Sequence, residues 1–355
     1  MKTLWLRSET LDDERRTPLV PEDAEKLVQA GISVVVEKSN DRVFQDNEYQ
    51  KVGCELVDSQ SWIYANSQNT VILGLKPCYP LPEKLKHTHI FFAHAYKNQP
   101  DSKEILSAFL QGGGHLYDLE YLVDGDQKRI ATFNFYAGYC AAALAVIKWV
   151  DLYQKKEIQT PIKSFNSIDE LTKHIVEKKQ VMPLQPNLLI LGDGQCSIGV
   201  TDFLENFGFQ FTQLSSKDLK NKAESLFIPS CDVVINAFRT REKRCEKVLS
   251  VSNFEYSGAK LLVDLICEPF SPYNALPEYR QLTTFKEPML KMQLINNTMY
   301  LIAIQNFASF LPKESSLAFS LPLLKTLIDL FKGNKTDTFH HASACFSKAI
   351  EGLKL

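Results

Sequence analysis

Short apolar runs alternate with stretches of helical period along the first third of the chain, and each run has the length of one buried strand. Thr3–Leu6, Ile32–Glu37, Thr70–Leu75, Ile90–Ala93 and His115–Leu119 are the strands this pattern predicts. Between the first two, Pro21 followed by Glu22 and Asp23 suits the first turn of a helix, because proline tolerates that position and carboxylates face the positive end of the helix dipole. Gly31 then stops it. Strands separated by helices build a parallel sheet.

From Phe135 to Lys155 the residues are small and apolar with charges only at the end, which predicts a long buried helix leading into a second domain. The polar segment Glu157–Pro186 is expected on the surface. At Asn187 an apolar strand, a glycine turn and an amphipathic helix closed by Gly208 follow in order, and further strands are expected at Phe209–Leu214, Val233–Ala237, Ala259–Asp264 and Met299–Ile304. A helix then starts near Pro312, and the tail to Leu355 is helical too. The fold class is therefore α/β, with two Rossmann-like doubly wound domains separated by a cleft. Residues 1–133 and 313–355 form a discontinuous substrate domain, and residues 134–312 a dinucleotide-binding domain.

At 355 residues the chain exceeds the size of one comfortable core, which agrees with two domains. A formal charge of −2 with both signs mixed leaves no basic stripe for nucleic acid and no polybasic patch for a membrane. No run of eighteen apolar residues and no leader pattern at Met1–Glu9 is present, so a cytoplasmic enzyme is the expected setting. The eight cysteines form no CxxC pair and no zinc spacing, and they read as mostly buried thiols rather than metal ligands.

Gly192-Asp-Gly194, with Gln195 opening the helix, is where a dinucleotide pyrophosphate would sit, since glycines let the backbone approach and the helix start offers N–H groups. The third glycine of the motif is Ser197, with Gly199 two residues late. An acid that holds the ribose is expected about 20 residues on. That position reads Leu214-Ser215-Ser216-Lys217, with no carboxylate before Asp218; hydroxyls beside Lys217 and Arg239 tilt the local reading toward NADP, the alternative being that Asp218 or a backbone group takes the ribose and the serines begin a loop. In the first domain Lys76, His94, Lys97 and Glu120 lie at or beyond strand ends, where open α/β sheets bind their ligands. A lone histidine there is more often structural, but three strands ending in Lys, His and Glu bring acid–base chemistry level with that reading.

The blocks ILGLK (Ile72–Lys76), FFAHAYKNQ (Phe91–Gln99), LYDLE (Leu116–Glu120), RIATFNFYAGY (Arg129–Tyr139) and LPKESS (Leu311–Ser316) resemble those of the NAD-dependent, L-lysine-forming saccharopine dehydrogenases. The resemblance runs essentially end to end, and the opening Arg16–Pro21 pattern is more distantly similar to alanine dehydrogenases and transhydrogenases. It implies a reversible oxidative deamination of saccharopine with NAD, or NADP if the local tilt holds, whose small-molecule partners are an amino acid and a 2-oxo acid. Carried over, Lys76 is the base that deprotonates the secondary amine, His94 the acid–base group for water attack, and Glu120 an acid that tunes them. Arg16, Arg129, Lys97, Gln99, Phe133 and Glu268 correspond to substrate contacts. Gly192, Gly194, Gln195, Ser215, Arg239, Leu265, Gln305 and Asn306 fall on cofactor contacts.

Several family positions have changed. Pro77 replaces the acid after the lysine, and Ser215 replaces the ribose aspartate. Asp264-Leu-Ile-Cys-Glu268 keeps acids at both ends of a segment that loses its hydroxyl, and Gln305-Asn-Phe-Ala308 replaces an Asp-His-Leu-Pro segment. An opine-type dehydrogenase for another conjugate and a non-catalytic ligand-binding protein are the alternatives these changes leave open.

Overall fold

The computed structural model describes residues 2–96, 101–154, 157, 159–182, 184–221, 228–239, 251–255, 257–269, 276, 279–294, 297–334 and 336–353. They divide into two compact units, Met1–Thr132 with Pro312–Leu355, and Phe133–Leu311.

The first unit begins with β1 (Thr3–Leu6), α1 (Pro21–Gln29), β2 (Ser33–Glu37), α2 (Asp46–Lys51), β3 (Glu55–Val57), β4 (Thr70–Leu73), β5 (Thr88–Phe91), α3 (Ser102–Gly112) and β6 (His115–Asp118). Its sheet runs in the order β3-β2-β1-β4-β5-β6, parallel throughout. That is the doubly wound order, with the direction of winding reversing between β1 and β4. Every residue of β4 is buried, as a strand covered on both faces requires. The pattern does not predict β3, because this edge strand has three residues with none fully buried.

The second unit holds α4 (Asn134–Tyr153), α5 (Ile168–Gln180), β7 (Leu188–Leu191), α6 (Gln195–Asn206), β8 (Phe211–Leu214), α7 (Ser216–Asn221), β9 (Val233–Asn236), α8 (Val251–Glu255), β10 (Leu261–Asp264), β11 (Leu290–Gln293) and β12 (Thr298–Ile302). The strand order is β11-β12-β10-β9-β7-β8, with only the edge strand β11 antiparallel. Winding reverses between β7 and β9. Helix α4 is apolar and long enough to cross a bilayer by length and composition, yet Gly138–Val150 is buried without a break in this unit's core. Small residues make that possible. A Cβ on Gly138 would collide with the carbonyl of Cys196, and one on Gly199 with the carbonyl of Phe135, so α4 and α6 cross with their backbones in contact. The segment expected on the surface carries α5, whose Leu171 and Ile175 are fully buried while its charged side faces solvent. The i, i+4 spacing of those two residues is the amphipathic signal.

Helices α9 (Pro312–Phe331) and α10 (Asp337–Leu353) belong to the first unit. Ser316 and Ser320 on α9 accept hydrogen bonds from the backbone N–H groups of Thr17 (2.9 Å) and Val20 (3.1 Å). They hold the Thr17–Val20 loop that enters α1. The distant LPKESS block thereby fixes the segment that carries Arg16.

Candidate active site

In the first unit the candidate side chains hang from the carboxyl edge of the sheet. Arg7 and Glu9 follow β1, Lys76 follows β4, His94 follows β5 and Glu120 follows β6. Backbone pairing continues past the strand ends, through Gly74 N–H to Ile90 O (3.0 Å), Phe92 N–H to Leu75 O (2.9 Å) and Leu119 N–H to Phe91 O (3.1 Å). This extension holds the three loops in register.

Lys76 sits at the switch point between β1 and β4, and its backbone is clamped. Glu9 accepts the N–H groups of Leu75 (2.7 Å) and Lys76 (3.0 Å), while a guanidinium nitrogen of Arg7 donates to the Lys76 carbonyl. A Cβ on residue 74 would run into that guanidinium and displace it from the Lys76 carbonyl. Burial pushes the Lys76 ammonium below the usual lysine range, the positive charge of Arg16 pushes the same way, and Glu14 and Glu9 pull it back.

Arg16 is nearly fully buried and holds Glu14 by two hydrogen bonds, Nε to Oε1 at 2.8 Å and Nη2 to Oε2 at 2.5 Å. Burial raises the Glu14 carboxyl, but this paired guanidinium overrides it and leaves Glu14 below the ordinary carboxylate range. Burial raises Glu9 despite Arg7. A cavity of about 10 Å³, the size of one water, lies among Arg7, Glu9, Glu14, Arg16 and Arg42.

Nδ1 of His94 lies 3.7 Å from Oε2 of Glu120, and the ring stacks on Phe92 at 5.9 Å. Residue 94 takes a left-handed conformation, φ 51°, uncommon outside glycine. Glu120 is oriented by the buried Asp118, whose carboxylate accepts the Glu120 N–H at 2.9 Å. Arg129 is exposed, in a short β-bridge with Val123 and within electrostatic reach of Tyr121. Lys97 and Gln99 lie outside the described residues.

In the second unit Gly192 follows β7 with φ 105°, and a Cβ there would stand 3.0 Å from the carbonyl oxygen of Ala237, just past β9. The turn therefore sits at the switch point of its sheet, and only glycine lets it close. Gly194 precedes the first residue of α6, Gln195, and both are exposed. The missing third glycine is Ser197, fully buried, with a hydroxyl that has no hydrogen-bond partner among the described residues. Close packing of the helix falls to Gly199, which meets α4. These features fit a dinucleotide: open backbone N–H groups at a helix start and a cradle that a Cβ would fill.

The cations that favour NADP are placed differently from the expectation. Arg239 pairs with Glu268 at 3.1 Å, so these candidate cofactor and substrate contacts meet each other. Lys217 is exposed. Ser215 donates to Asp218 at 2.6 Å and Ser216 to Asp193 at 2.5 Å, so both hydroxyls face carboxylates. Leu265 follows β10 beside the buried Asp264, which accepts from Asn236 (2.8 Å) and from the Tyr279 hydroxyl. Gln305 is exposed and Asn306 half-buried just beyond β12, and half-buried Phe133 precedes the first turn of α4.

The sequence does not single out Glu9, Glu14 or Asp193 as site residues, whereas Asp218 enters it as the alternative acceptor for the ribose. A faint signal exists for Glu14, two residues before Arg16 in a charged turn. For Glu9 there is none, because its partners are backbone groups 66 and 67 residues away.

A lysine, a histidine and a carboxylate along one parallel sheet, with a glycine turn at the switch point of another, suit a two-domain nucleotide-dependent dehydrogenase, the class to which the relatives of this chain belong. Residues 5–140 match the alanine dehydrogenase/PNT N-terminal domain family. The fold is that of an L-alanine dehydrogenase structure (TM-score 0.66, 13% identity, 98% of this chain and 94% of that one) and of a transhydrogenase from Sinorhizobium meliloti (TM-score 0.62, 14% identity, 92% of each). The saccharopine dehydrogenase [NAD(+), L-lysine-forming] of Schizosaccharomyces pombe is 32% identical over 368 residues, covering 99% of both chains. That of Emericella nidulans is 32% identical over 370 residues, 99% of this chain and 98% of its own. The chain belongs to the saccharopine dehydrogenase family.

Proposed function

We propose that this protein is an NAD-dependent saccharopine dehydrogenase, which converts saccharopine, water and NAD reversibly into L-lysine, 2-oxoglutarate and NADH. The observation that carries the reading is Lys76, a lysine held at a sheet switch point by backbone clamps, with its pKa lowered by burial and Arg16. Acting as the base, it takes the proton from the substrate's secondary ammonium, which frees the lone pair that drives hydride departure. NAD, bound along the Gly192–Gln195 turn, supplies the hydride acceptor. His94 then removes a proton from the water that attacks the imine carbon and returns one to the departing amine, with Glu120 facing its Nδ1 to stabilise the imidazolium.

Arg129, exposed at the rim, is assigned to a substrate carboxylate. Arg16 is assigned a different task from the one its residue type suggests: its fork is taken by Glu14, and it acts on Lys76 through charge. The cofactor assignment is NAD, since the hydroxyls that could receive a phosphate already face Asp193 and Asp218.

A panel assay tests the reading: NADH oxidation with 2-oxoglutarate and other oxo acids, each against lysine and other amines. Turnover with lysine and 2-oxoglutarate is expected. Turnover only with another pair would make the enzyme an opine-type dehydrogenase, and no turnover with nucleotide still bound would leave a ligand-binding protein.

A further inference from the structure

In doubly wound sheets the hydroxyls of the adenosine ribose are held by an acid at the end of the second strand, which also repels a 2′-phosphate. Here that strand is β8, and Ser215 stands at its end. The negative charge has not left the place. The Asp218 carboxylate folds back over residue 215, accepting from its N–H at 3.0 Å and its hydroxyl at 2.6 Å, while the Ser215 hydroxyl accepts from the Asp218 N–H at 3.2 Å. From the other side Asp193, between the two glycines of the turn, accepts the Ser216 hydroxyl at 2.5 Å. Gln213 ties the same turn to β8, donating to the Gly192 carbonyl at 2.8 Å. The end of β8 is therefore flanked by carboxylates from two directions. The second oxygen of Asp193 accepts nothing from the described residues.

Resting on the reading of Gly192–Gln195 as the dinucleotide turn, we propose that Asp193 and Asp218 together replace the absent strand-end acid: they accept the ribose hydroxyls of NAD and exclude NADP. A ribose diol needs acceptors, which carboxylates are. A 2′-phosphate brings about two negative charges to the same spot, where both serine hydroxyls are already donating to acids. Arg239 does not offset this, as it is paired with Glu268.

The test is fluorescence titration of the purified full chain with NADH and with NADPH, without substrate, for wild type, Asp193→Asn, Asp218→Asn and the double variant. Asparagine keeps the shape of each side chain, and its oxygen at residue 218 can still accept the Ser215 N–H, so the first turn of α7 is retained. Wild type should bind NADH the tighter. The ratio of the two Kd values should fall about tenfold for each carboxylate removed, the scale of one unit charge about 5 Å away in a partly solvated site. Ser215→Asp added to the double variant should restore the preference by returning an acid to the strand end. A ratio that stays within about twofold of wild type in the double variant would overturn the proposal, as would wild type binding both nucleotides equally. If wild type binds neither nucleotide, the dinucleotide turn itself is wrong, and the proposal falls with it.

Discussion

The two sheets share a parallel, doubly wound plan, yet their switch points are built from opposite materials. Between β1 and β4 the first unit gathers Arg7, Glu9, Glu14, Arg16 and Lys76, charges that are largely buried and hold one another or the backbone. Between β7 and β9, among the described residues, the second unit presents nearly bare backbone, with Gly192 pressed against Ala237 and Asp193 beside the end of β8. Proton transfer needs groups whose pKa is moved by burial and neighbours. Binding a pyrophosphate needs N–H groups and room. One architecture serves both because the sheet fixes only where the loops begin.

Lys76→Met should break the comparison most sharply. Turnover should fall by about 10²–10⁴-fold, the usual loss on removing a general base. Nucleotide binding by fluorescence titration should stay unchanged, since the substitution lies in the other unit. A variant with more than about a third of wild-type kcat would remove Lys76 from the mechanism.

Glu14→Gln should lower stability by about 3–5 kcal/mol, as breaking one side of a buried ion pair does, read as a drop in thermal midpoint. The pH dependence has a definite sign. Glu14 lies below its ordinary value of 4.5 when folded, so its contribution is present above that pH and is lost as pH falls through the lower folded value. The gap in midpoint between wild type and Glu14→Gln should therefore narrow on acidification. Removing this negative charge should also move the acid limb of the activity profile to lower pH, because Glu14 raises Lys76. An acid limb that moves upward would contradict the assigned electrostatics.

Gly192→Ala tests the bare-backbone side. A left-handed backbone at residue 192 puts strain of about 1–2 kcal/mol on any Cβ, and that Cβ would press on the Ala237 carbonyl. Nucleotide affinity should weaken with the stability, while hydrogen exchange of the first unit's strands should be unaffected. Unchanged NADH affinity would show that the turn does not hold the cofactor.

The smallest effect is expected for Arg129→Ala. It deletes one charged hydrogen-bonding partner at an exposed site, so a substrate KM should rise by about tenfold with kcat nearly kept. If every substrate KM were unaltered, the carboxylate assignment for Arg129 would be wrong.

The strands that position the chemistry were legible because parallel strands covered on both faces are written as unbroken apolar runs. Thr3–Leu6 is observed as read, and Val233–Ala237 and Ala259–Asp264 shift by only one or two residues. Of the four edge strands, β6 and β8 were read from their apolar runs, while β3 and β11 were not. β11, half-exposed and antiparallel, carries too little apolar signal in four residues. Lys76, His94 and Glu120 could be picked out because each closes its own strand, and sequence position alone brings them to one edge.

By itself, then, the sequence determined the alternation of strand and helix, the glycine turn after β7 and the residue types at the strand ends. These are local properties: burial of a short run, the conformational freedom of a glycine, the polarity of a helix start. Tertiary structure alone decided which charges meet. Glu9 reaches the backbone of Lys76, 67 residues on, and Asp193 meets Ser216 at the end of β8, 23 residues on. An ion pair or a hydrogen bond acts across space over a few ångströms, and residues far apart in the chain come that close only through the packing of the whole sheet.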